Sequence, residues 1–171
     1  AVVIELGRES PPPSPRQSSE LPCHLAHVPG LVGDIADWIV ATSIHPQPAL
    51  ALGAALTVVG TAAGRHIAGP TRSGTHLYIV GLAPSGAGKD YPLRCIAEIL
   101  AAADMRQHIG PSQFISMPAV INFLARSPLS VCAMDEFGSF LKRINSRKAS
   151  GFEGAISGLL RTAWGASFAA M

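Results

Sequence analysis

Aromatic side chains are scarce in this sequence: Phe, Trp and Tyr make up 6% of its 171 residues. Alanine and glycine are plentiful instead, which disfavours an aromatic-rich β-sandwich and favours closely packed helices. Charge is also sparse, at 14% of residues with a net charge of +2. That excludes a chain whose whole surface is a glove for nucleic acid, so any such contact has to be local. Cysteine is limited to Cys23, Cys95 and Cys132. An odd number at wide spacing gives no disulfide framework and fits a reducing, cytoplasmic home. Cys132 sits in an apolar run and is expected to be a small core residue.

Long apolar runs are lacking too. The N-terminal stretch is broken by Glu5, Arg8 and Glu9, so it has no secretory-signal centre. No Asp, Glu, Lys or Arg lies between Asp37 and Arg65, but Pro46 and Pro48 interrupt that interval. The continuous part, Ala49 to Gly64, falls short of the ~20 residues of a spanning helix. A buried helix of a soluble protein is expected there, with no membrane partner.

What remains is 48% apolar and about one domain long, enough for a sizeable core. Residues 1–28 form a Pro-rich arm, with Pro11-Pro12-Pro13-Ser14-Pro15 extended as polyproline. Cys23, His24 and His27 are close in sequence, but a fourth metal ligand is not evident, so a packed loop is the expectation. Residues 29–68 are expected to be a helical hairpin, Leu31 to Ile44 and Pro48 to Arg65, the second apolar nearly all round and therefore buried. Residues 69–171 then read as a nucleotide-binding unit. Thr75 to Leu82 is β-prone, Tyr91 to Met105 is helical, and 107–116 has room for a short strand. Pro118 to Arg126 is a helix, Leu129 to Met134 a buried strand, and helices follow over Glu136 to Ile144 and Glu153 to Ala163.

The β-prone run ends directly in Ala83-Pro84-Ser85-Gly86-Ala87-Gly88-Lys89-Asp90. This is the pattern of a phosphate-binding P-loop, which asks for a strand, a Gly-rich turn and a helix. Gly86 and Gly88 let the backbone fold around phosphates without a β-carbon in the way. The loop N–H groups and the positive end of the next helix would face the anion, and Lys89 would reach the β and γ phosphates. Two positions depart from the pattern. Ala83 replaces its first glycine, and Asp90 stands where a Ser or Thr hydroxyl normally ligates Mg²⁺. A carboxylate also ligates Mg²⁺, though it adds negative charge beside a triphosphate.

A second motif follows downstream, where the apolar run enters Asp135-Glu136. Asp135 would hold Mg²⁺ with Asp90, and Glu136 would act as general base on the attacking water. The plainer reading is an acid pair at the start of a helix, which does not exclude catalysis. Together the motifs predict an ATP- and Mg²⁺-binding site. Its cofactor-binding residues are Ala83 to Asp90, and its catalytic residues are Lys89 and Glu136. Arg143, Arg147 and Arg161 are arginine-finger candidates by charge alone. Lys142, Arg143, Arg147 and Lys148 form a basic cluster, read as a solvated loop ahead of a DNA contact.

From Pro29 to Leu141 the sequence resembles a DUF3987-type family of P-loop proteins carried by prophages, plasmids and other mobile elements, often fused or adjacent to a primase. The resembling residues are Pro29-Gly30, Asp37-Trp38, the Ala/Gly-rich segment ending at Gly64-Arg65, Leu77 to Val80, the P-loop, and Asp135-Glu136-Phe137-Gly138. A Gly-Lys-Asp loop occurs in that family. The resemblance implies an α/β core of the RecA-like or additional-strand class behind a helical hairpin. It also implies helicase-like, ATP-dependent work on DNA, and a ring-shaped homo-oligomer. At most three strands are visible, so the core is expected to be incomplete and the chain a piece of a longer protein. The rival readings are a nucleotide-binding module without hydrolysis and a structural or membrane-associated helical protein.

Overall fold

The computed structural model describes residues 27–70, 73–144 and 151–165. Helix α1 spans Leu31–Thr42 and opens at Gly30, whose φ of 78° turns the chain into it. Asp34 sits in its first turn, where the helix dipole favours a carboxylate. Helix α2 spans Pro48–Ala63, with Pro48 where a missing N–H costs little. Helix α3 spans Asp90–Ala102. These three pack on one another around Ile39, Ala51, Ala54, Val58, Cys95, Ile96 and Leu100. The alanines of α2 let its neighbours approach closely, and bulk comes from Ile39 and Leu100, both sealed from solvent.

A second cluster gathers α4 (Met117–Arg126), α5 (Phe137–Ile144) and α6 (Gly151–Gly165). Ser116 caps α4 by accepting the Ala119 N–H at 3.4 Å. Phe114, Val120, Phe140 and Ile156 form its centre, with Phe114 and Phe140 edge to face at 6.5 Å. Short 3₁₀ turns at Gly64–His66 and Arg106–His108 end α2 and follow α3.

The α/β expectation, a RecA-like or additional-strand P-loop core, is overturned. Among the described residues there is no strand and no sheet, only one isolated parallel bridge between Ile109 and Val131. The bridge is closed by Gly110 N–H to the Val131 carbonyl and Val131 N–H to the His108 carbonyl, each 2.8 Å. Thr75 to Leu82 is extended but joins no strand ladder, and Leu77, Tyr78, Ile79, Val80 and Leu82 remain well exposed. β-Propensity measures fit to a neighbouring pleated surface, and a run with no ladder partner stays a single extended segment. The neighbour here is a helix. Thr75 Oγ1 donates to the carbonyls of Gly60 and Gly64 at 2.8 and 2.9 Å. A β-carbon at Gly53 would stand 3.3 Å from Ile79, and one at Gly81 2.7 Å from Leu50. The segment therefore runs antiparallel along α2, from its C-terminal end to its N-terminal end.

The helical expectations match closely in place. The second hairpin helix differs in burial, because its buried residues form one stripe, Ala51, Ala54, Ala55, Val58 and Thr61, rather than the whole circumference. By length and composition alone, Pro48–His66 is apolar enough to cross a membrane, and a third of it is buried. The Pro-rich arm with Cys23 and His24, and the Arg147–Lys148 part of the basic cluster, lie outside the described residues.

Cys132 packs against the second cluster, and burial pushes its thiol up to about 11. The unfolded thiol ionises near pH 9 while the folded one holds its proton. Stability should therefore be unaffected below pH 9 and fall as pH rises from about 9 to about 11, by up to ~2–3 kcal/mol. Urea melts of the wild type and Cys132→Ala across that range check this. Equal pH slopes in the two proteins would sink it.

Candidate functional site

The extended segment delivers the chain to the mouth of the α1–α2 hairpin, where Ala83 to Lys89 form a tight loop and Asp90 begins α3. Ala87 N–H reaches the Pro84 carbonyl and Tyr91 N–H reaches the Gly88 carbonyl, each at 3.3 Å. Gly86 and Gly88 have φ of 77° and 81°, a region that a β-carbon makes costly. Gly86 faces open space, whereas a β-carbon on Gly88 would stand 2.7 Å from the His45 β-carbon and 2.8 Å from its carbonyl oxygen. The loop thus rests its Gly88 side on the α1–α2 connector and leaves its Ser85–Gly86 tip exposed. It leads straight into α3, whose positive end already carries Asp90 in the first turn.

The Asp135-Glu136 pair comes to the same place. Lys89 Nζ lies 3.6 Å from Asp135 Oδ1, with both side chains partly open to solvent. An ion pair this exposed adds little to stability, so its interest is in what it brings together. Asp135 Oδ1 also accepts the Glu136 N–H at 2.7 Å. Glu136 has φ of 51°, left-handed for a residue with a side chain, and its carbonyl accepts the Ser139 N–H in the first turn of α5. Strained backbone of this kind clusters where side chains are aimed for a purpose.

Lys89, Asp90, Asp135 and Glu136 are therefore all at helix starts or loop tips, with Lys89 and Asp135 in contact. Among the described residues, no three His, Cys, Asp or Glu side chains gather into a metal nest. The hard oxygen of Asp135 beside the loop suits Mg²⁺ only as part of a shell shared with phosphate and water, the usual mode for that ion. Arg143 does not face the loop. It donates to the Phe114 carbonyl at 2.6 Å and lies over the Phe140 ring. Arg161 is exposed on α6.

One contact to the loop and one beside it escape a motif search. Gln47 Nε2 donates to the Ala87 carbonyl at 2.9 Å, and Tyr91 Oη donates to Thr42 Oγ1 at 2.8 Å. Neither shows in apolar periodicity: the first depends on the connector folding back onto the loop, the second on α3 packing beside the end of α1. A separate groove of about 470 Å³ lies between α1 and α3, lined by Asp34, Ile35, Trp38, Glu98, Ile99 and Ala102. It flanks the C-terminal half of α3, at the other end from the loop. Comparison with protein-family models, with curated proteins and with solved structures finds no match.

Proposed function

We propose that the Ala83–Asp90 loop binds the phosphates of ATP with Mg²⁺, and that the protein hydrolyses the nucleotide. The observation that carries this reading is the 3.6 Å approach of Lys89 to Asp135 beside a loop with two left-handed glycines at the start of α3. Loop N–H groups and the α3 terminus would hold the anion. Lys89 would exchange Asp135 for phosphate oxygens, which frees the carboxylate to face Mg²⁺ together with Asp90. The metal, when bound, neutralises charge on the phosphates. Glu136 would take the proton of the attacking water.

Calorimetric titration of the full chain with ATP, with and without Mg²⁺, tests the binding. Saturable heat is expected, stronger with Mg²⁺. No heat with any nucleotide would sink the proposal. Phosphate release tests hydrolysis, and binding without release would leave a nucleotide-binding module. The work on DNA and the ring-shaped assembly rest on the mobile-element resemblance. Faster phosphate release on adding single-stranded DNA, and a sedimentation coefficient that rises with ATP, are the expected results for them.

A further inference from the structure

The connector between α1 and α2 touches the loop through more than contact area. We infer that Gln47 is a positioning residue for the phosphate loop, holding the Ala87–Gly88 peptide so that the Gly88 N–H faces the bound polyphosphate. This rests on the polyphosphate reading above. Gln47 Nε2 donates to the Ala87 carbonyl at 2.9 Å across forty positions of sequence. The peptide is trans and planar, so its carbonyl and its N–H point in opposite directions. Fixing the Ala87 oxygen towards the connector aims the Gly88 N–H away from it.

The peptide needs such a hold. Glycine on its C-terminal side accepts either sign of φ, so a flip of the 87–88 peptide meets little local resistance. A flipped peptide would present a carbonyl oxygen to phosphate, repelling the ligand in place of a donor. The connector is itself held at its start and in its middle. Tyr91 Oη bonds Thr42 before it, and His45 rests against Gly88 within it. Gln47 is also released from the ordinary duty of its position. It stands at the N-cap of α2, yet its side chain makes no capping bond there. Its amide is committed to the loop instead.

The test uses inorganic tripolyphosphate, which contains no nucleoside, titrated into the full chain as wild type, Gln47→Met and Lys89→Ala. Methionine keeps the length of glutamine and removes the donor. Gln47→Met is expected to bind tripolyphosphate about fivefold more weakly than wild type, and Mg²⁺-ATP weaker by the same factor. Its thermal melt should stay cooperative and move down only slightly, as the loss of one part-buried hydrogen bond requires. The Gly88 amide proton should shift downfield with tripolyphosphate in the wild type and shift much less in Gln47→Met. If Lys89→Ala weakens binding while Gln47→Met binds like wild type, the role of Gln47 is overturned and the phosphate site stands. A Gln47→Met protein that loses its cooperative melt would also overturn it, by making Gln47 a fold residue. If the wild type takes up no tripolyphosphate and no ATP, both readings fall together.

Discussion

Lys89→Ala should weaken ATP binding about a hundredfold, because it removes the loop's own ammonium. A hydrogen bond to a charged partner is worth about 1.5–3 kcal/mol, and a hundredfold is ~2.7 kcal/mol. The fold should barely notice. The Lys89 side chain is 40% exposed and its ion pair with Asp135 is open to water, so the melt should move by less than ~1 kcal/mol. Titration calorimetry beside a melting curve separates the two effects. Unchanged affinity in a folded Lys89→Ala protein would show that the loop does not hold phosphate through this residue.

Glu136 supports a sharper pair of substitutions. Glu136→Gln keeps the shape and removes the base, so phosphate release should fall by about 10²- to 10⁴-fold while ATP still binds. Glu136→Gly removes the base as well, but it also relieves a backbone held at φ 51°. Left-handed backbone costs a residue with a side chain roughly 1 kcal/mol, so Glu136→Gly should be the more stable protein by about that amount. Higher stability with turnover abolished is the signature of a residue kept for chemistry. If both variants turn over ATP at the wild-type rate, Glu136 is only the residue before a helix.

The helices were legible in the sequence because each carries its own signal. Leu31, Ile35 and Ile39 recur at helical spacing, and Pro48 marks a first turn. The sheet was misjudged because a strand is a relation between two segments. Leu77 to Val80 has the right side chains, but what lies beside it is the Gly53–Gly60 face of α2. Nothing in a local run of Val, Ile and Tyr announces that. The loop and the acid pair were legible as motifs, and the fold brings Lys89 to Asp135 by bending the chain. Gln47 and His45 were not legible. Their importance arises only when a connector folds onto residues forty positions away.

The loop and the acid pair each stand at the doorway of a different helical cluster. Lys89 ends the approach to α3, in the cluster of Leu100, and Asp135 leads into α5, in the cluster of Phe140. The extended segment touches both, leaning on Gly53 of α2 and donating from Tyr78 Oη to the Leu160 carbonyl of α6 at 2.7 Å. The two clusters therefore stay joined through that segment whether or not the exposed Lys89–Asp135 pair forms, and the seam where they meet is free to accept a new partner for Lys89 at little structural expense.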